Sequence, residues 1–168
     1  TDDTPLIYHY SEPISDPIIR NIGVEIQGKL VPRDALAYQM TLSNLFNLGV
    51  FKTIKNDTPN RVLEIGAGYG ALAHQFGRIL GENDTYFIID LPEILFWSAA
   101  YLTVNNPNNS VYLYDPSTYD PHNLPKIADK YRFVLLPYWR LWDMTAVRPI
   151  DLVLNMISFQ EMRLAQVE

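Results

Sequence analysis

Two acids and three glycines are the residues best placed to do chemistry. Glu64 lies two residues ahead of Gly66, which opens the run Gly66-Ala67-Gly68-Tyr69-Gly70, and Asp90 follows Gly70 by twenty residues. Glycines at this spacing permit a tight turn and let a ligand approach the backbone without meeting a Cβ. Between a strand and a helix such a turn suits an adenosine-containing ligand, and an acid closing the next strand is placed to accept hydrogen bonds from a ribose diol. Gly66, Ala67, Gly68, Gly70 and Asp90 are therefore candidate cofactor-binding residues. Glu64 joins them, because a carboxylate in a strand covered on both faces is costly unless something pairs with it. A pyrophosphate there adds like charge, whereas the methionyl end of S-adenosylmethionine brings an ammonium and a sulfonium. The structural alternative is an acid held by a backbone amide or a nearby basic side chain.

These residues need a strand, a turn and a helix to position them. Val62 to Ile65 is a short apolar run between Thr58-Pro59-Asn60 and the glycines, which reads as a buried parallel strand. Helical spacing follows from Ala71 through Phe76 and Ile79 to Leu80, and Tyr86 to Ile89 forms a second apolar strand ending in Asp90. Pro92 starts a further helix that the asparagines after Val104 end. Val111 to Tyr114, ending in Asp115, and Arg132 to Trp139 both qualify as the third strand, and the pattern leaves that choice open; Pro137 argues for an edge or a strand terminus. Asp151 to Met156 reads as a fourth strand, with Ile157 to Met162 opening a helix. Upstream, residues 1 to 33 carry four prolines and predict an irregular or briefly extended lead-in. From Asp34, as N-cap, apolar residues recur at helical spacing to Phe51, with Gly49 a weak interruption. Residues 1–58 thus form a lead-in and helical segment, and residues 59–168 the binding domain.

At this point the chain resembles a known superfamily. Glu64-Ile65-Gly66-Ala67-Gly68-Tyr69-Gly70 is similar to the first motif of the class I S-adenosylmethionine-dependent methyltransferases. Asp90-Leu91-Pro92-Glu93, Phe133 to Trp139 and Asn155 to Met162 together resemble the sugar O-methyltransferase family, over about residues 30 to 165. The resemblance implies an α/β fold, a Rossmann-like three-layer sandwich with a mostly parallel sheet. It implies S-adenosylmethionine as cofactor and a small hydroxylated acceptor, such as a sugar, as substrate. Leu91 would pack on the adenine, and Asp115 would accept from the adenine amino group unless it merely opens a turn before Pro116. Asn155 would stand at the junction facing the methyl group, with Ser158 and Gln160 as orienters of the acceptor hydroxyl. Glu161 and His122 are the candidate bases, since an alcohol is a weak nucleophile. A complete sheet of this family continues beyond the fourth strand, so the chain is expected to be truncated there. Leu152 and Leu154 would then lose part of their cover, at roughly 1.5–3 kcal/mol per buried apolar side chain, and homo-oligomer formation or marginal stability would follow.

Composition narrows the remaining classes. The 168 residues are 48% hydrophobic with a net charge of -6, and the thirteen Lys and Arg are scattered, which argues against a nucleic-acid partner. No cysteine is present, so thiolate metal sites and disulfides are excluded, and no acid or histidine cluster has metal-ligand spacing. No apolar stretch is long enough to span a bilayer and no signal peptide opens the chain, so a cytoplasmic protein is the simplest reading. Two rival functions stand beside methyl transfer. Gly66 to Ala71 also satisfies the G-x-G-x-x-A fingerprint of NAD(P)-dependent oxidoreductases. A non-catalytic methyltransferase-like module is the other.

Overall fold

The computed structural model describes residues 24–26, 29–31, 33–52, 54, 58–106, 108, 110–147 and 149–163. The chain divides into two units, Thr1–Thr53 and Ile54–Glu168. Most of the expected lead-in lies outside the described residues. In the first unit, strands β1 (Val24–Ile26) and β2 (Lys29–Val31) pair antiparallel, with Val24 opposite Val31. Helix α1 spans Arg33–Asn47, so Asp34 falls inside its first turn and not at the N-cap. Gly49 does more than interrupt α1. Its φ of +75° is a conformation that side-chain-bearing residues rarely adopt, and it separates α1 from a 3-10 turn at Val50–Lys52.

The second unit is an open α/β sheet of five strands, all parallel, in the order β5-β6-β4-β3-β7. The strands are β3 (Arg61–Ile65), β4 (Thr85–Asp90), β5 (Val111–Leu113), β6 (Phe133–Pro137) and β7 (Leu152–Asn155). They alternate with α2 (Ala71–Gly77), α3 (Pro92–Asn105) and α4 (Leu124–Lys130), and a 3-10 helix at Tyr138–Val147 follows β6. Burial on both faces explains the continuous apolar runs: Tyr86, Phe87, Ile88 and Ile89 are all at most 2% exposed. One face packs Leu63, Phe87, Ile89, Val134 and Leu136 against Leu124 and Ala128 of α4 and against Met144 and Val147. On the other, the Phe76 ring of α2 lies 5.6 Å from Tyr86, which in turn lies 6.5 Å from Phe133. Helices thus cover both faces, as in Rossmann-like folds.

The strand order resolves the open question of the third strand. Both candidates are strands, but β6 sits beside β4 and β5 lies outside it at the edge. Counted along the chain within this sheet, the order is third, fourth, second, first, fifth, whereas the doubly wound dinucleotide fold runs 3-2-1-4-5-6. The strand expected as fourth, β7, is therefore the fifth. Pro137 ends β6 opposite Asp90, which fits a terminus and not an edge. After β7 the expected helix is replaced by a 3-10 turn at Ser158–Glu161, entered through Ile157 at φ +76°. Among the described residues β7 pairs with β3 alone, and Val153 is 56% exposed. No described helix is long and apolar enough to cross a membrane.

Candidate functional site

The carboxyl end of β3 runs straight into the glycine turn, whose Gly66 N–H donates to Ile89 O of β4 at 2.8 Å. Gly66 and Gly68 both have positive φ, yet they serve different ends. A Cβ on Gly66 would stand 2.1 Å from Ser158 Oγ, so the glycine makes room for the segment after β7. A Cβ on Gly68 would meet nothing within 4 Å, which makes Gly68 the open position of the turn. Ser98 of α3 holds the turn from behind by donating to Gly68 O, and α2 leaves it with Ala71 to Phe76 buried. Ala67 is 4% exposed and belongs to the packed side of the turn.

Asp90 closes β4 against this turn. Its Oδ2 accepts from Gly68 N at 3.1 Å and its Oδ1 from Leu91 N at 2.8 Å. The acid expected on the second strand therefore does reach the glycines of the first. Burial raises its pKa, and hydrogen bonds from the amides of Leu91, Gly68 and Ala67 oppose that rise. An ionised carboxylate offers about four lone-pair sites, so Asp90 keeps acceptor capacity beyond these amide bonds. Leu91 is 53% exposed beside it.

Glu64 stands in β3 ahead of the glycines, as expected, but its partner is a different one. It is 1% exposed, and Tyr86 donates its hydroxyl to Oε2 at 2.9 Å. The partner is thus neither a cation nor a backbone amide but a tyrosine on the neighbouring strand, set by the register that places Val62 beside Tyr86. Burial lifts the Glu64 pKa to about 7, the Tyr86 hydrogen bond works against the rise, and the nearby charge of Asp90 adds to it. Burial and the same carboxylate push the Tyr86 hydroxyl well up from its ordinary value.

The other candidates spread along the carboxyl edge of the sheet. Asp115 accepts from Ser117 N at 2.9 Å and Ser117 Oγ at 2.7 Å, and these bonds lower its pKa. It is a turn opener at the end of the outermost strand, and Pro137 and Tyr138 of β6 take the place beside Asp90 that was expected of the third strand. Asn155 donates to Ile65 O at 2.8 Å and to Ser158 Oγ, while Ser158 donates to Ile65 O at 3.0 Å. Together they lace the end of β7 to the end of β3 over Gly66. Glu161 is exposed at the end of the 3-10 turn that Ser158 begins. His122 is exposed ahead of α4, where its backbone N–H donates to Asp120 at 2.9 Å. The structure brings Asp90, Leu91 and the glycines together; it does not bring His122 or Asp115 to them by any described contact.

Ser98 and Tyr86, which contact the glycine turn and Glu64, had no part in the sequence reading of the site, whereas Tyr138 and Trp139 did, as ordinary packing or as an apolar platform for a sugar ring. Tyr138 and Trp139 are about half exposed with rings 5.0 Å apart and edge to face. Their position follows from β6 lying next to β4, and strand order has no signature in the residues themselves. Ser98 had a signal, since a serine inside an apolar helix needs an acceptor. No group of three or more His, Cys, Asp or Glu among the described residues could hold a metal ion. Compared with known proteins, the chain matches no family model and no curated protein.

Proposed function

We propose that the chain is an S-adenosylmethionine-dependent methyltransferase acting on a hydroxyl of a small acceptor, with a sugar as the favoured class. The observation that carries this reading is the Asp90–Gly68 contact of 3.1 Å, which sets the acid of the second strand on the open glycine of the first. The residues present fit an adenosyl ligand in part. Gly68 offers uncovered backbone, Asp90 retains acceptor capacity for a diol, and Leu91 offers an exposed apolar surface for a base. The base would extend toward Tyr138 and Trp139 and not toward Asp115, because β6 is the neighbour of β4.

Bound S-adenosylmethionine would supply an electrophilic methyl group on sulfur. The chain would supply position: Asp90 would orient the ribose, the glycine turn would let the ligand lie against the backbone, and Asn155 and Ser158 would keep the ends of β3 and β7 in register. Holding two reactants in line is worth roughly 7–11 kcal/mol of barrier. Of the two candidate bases, Glu161 is favoured over His122, because its segment begins at Ser158, against Gly66.

One observation keeps the dinucleotide reading in play. Glu64 is 1% exposed and held by the Tyr86 hydroxyl, and burial raises its pKa to about 7, which weakens the repulsion that would exclude a pyrophosphate. Calorimetric titration with S-adenosylhomocysteine and with NAD separates the two. Binding of S-adenosylhomocysteine is expected, weakened at least tenfold by Asp90→Ala and unaffected by Glu161→Ala; binding of NAD alone would end the methyltransferase proposal.

A further inference from the structure

A carboxyl group that is 1% exposed and two residues from a ligand-facing turn is an unusual thing to leave without a cation. Both ion pairs among the described residues, Arg61–Asp129 and Arg140–Asp143, are made by other acids. What Glu64 has is Tyr86, a hydroxyl that can donate to the ionised acid and accept from the neutral one. The pair can therefore exist in two charge states with little rearrangement.

We infer that Glu64 and Tyr86 form a charge sensor beneath the glycine turn, ionising when the ligand above carries a cation and taking up a proton when it does not. The inference rests on the S-adenosylmethionine reading and deepens it. Methyl donor and demethylated product differ by one positive charge on sulfur and otherwise share their contacts. A site with a fixed carboxylate would favour the donor at every pH; a site whose acid can neutralise itself favours it only where that acid is ionised. Exchange of product for donor thus becomes coupled to a proton.

The surroundings make Glu64 the responsive group. On β4 the titratable neighbours are Tyr86 and Asp90, and Asp90 is tied by the amides of Gly68 and Leu91. On β7 the residue opposite is Leu154. On α2 the titratable group is His74, whose ring is engaged with Asn106 at 3.2 Å and edge-on to Tyr101, and Arg78 caps the helix at its far end. On β3 itself Arg61 stands at the far end, bound to Asp129. Where water is excluded the field of a new cation is weakly screened, so it acts on a buried carboxyl without touching it.

The test is calorimetric titration of the whole chain with S-adenosylmethionine and with S-adenosylhomocysteine, in buffers of different ionisation heat, between pH 6 and 8. Because the acid is about half protonated at pH 7, the donor should release up to about half a proton there and the product markedly less. Donor affinity should tighten several-fold from pH 6 to 8. In Glu64→Gln the release and the pH dependence should vanish while binding persists. Tyr86→Phe, which removes the hydrogen bond that favours the ionised form, should move the release to higher pH. Binding of both ligands with equal proton exchange, or the same exchange in Glu64→Gln, overturns the sensor and leaves the proposed function standing. Failure of both ligands to bind at any pH overturns the proposed function and the sensor together.

Discussion

At Gly66 and Gly68 one substitution meets opposite surroundings. Alanine at Gly66 must place a Cβ 2.1 Å from Ser158 Oγ, so the serine has to move and its bonds with Ile65 O and Asn155 loosen. The left-handed backbone adds roughly 1–2 kcal/mol, and losing the lacing makes the total about 3 kcal/mol of folding stability. Alanine at Gly68 carries the backbone cost but meets nothing, so its stability loss should be about 1–2 kcal/mol. Its methyl group occupies the open face instead. Urea unfolding should rank Gly66→Ala well below Gly68→Ala, while calorimetry with S-adenosylhomocysteine should show Gly68→Ala folded and weakened more than tenfold. Normal binding by Gly68→Ala would mean that the ligand does not lie on that side of the turn.

The elements were legible wherever burial on both faces writes itself into the sequence. The runs at β3 and β4 are apolar throughout because no face is solvated, and the glycines between them fix the turn. Strand order was not legible. The crossover through α4 returns the chain from β5 to β6 on the opposite face of the sheet, and nothing in Val111-Tyr112-Leu113 or Phe133-Val134-Leu135 says which of them will lie beside β4. That one fact sets Pro137 and Tyr138, and not Asp115, beside the end of β4. Glu64 was legible as an acid in need of a partner, but Tyr86 reads from sequence as one more strand residue. At the other edge of the sheet the elements are fixed by Asp84, which is 6% exposed and accepts from Asn60 N at 2.7 Å, Asn60 Nδ2 at 3.0 Å and Gly81 N at 2.8 Å. Asp84→Ala removes an acceptor shared by three donors where β3 begins and β4 is about to, and should cost about 3 kcal/mol. Asp129, whose side chain is 70% exposed in its pair with Arg61, is the control: Asp129→Ala should cost no more than about 1 kcal/mol. Equal losses in urea unfolding would show that the amino edge is not held by Asp84.

For the molecule as a whole, the buried acids set how stability depends on pH. Glu64 has a pKa of 4.5 when unfolded and about 7 when folded, so between those values the folded state binds more protons and stability falls as pH rises. The full penalty, at about 1.4 kcal/mol per unit, is about 3 kcal/mol and is present above pH 7. Asp90, whose pKa is also raised, slopes the same way at lower pH. His74 slopes oppositely: burial lowers its pKa, so the stability it contributes is complete above its unfolded value of 6.5 and lost as pH falls. The wild-type profile mixes these, but the difference between wild type and Glu64→Gln isolates one group, because glutamine keeps the shape and an acceptor for Tyr86 without the charge. Glu64→Gln should therefore gain on the wild type as pH rises, with the gap in unfolding free energy widening by about 2.5 kcal/mol between pH 5 and pH 8. Two parallel profiles would place the Glu64 titration outside that window and show that the interior carries no such proton.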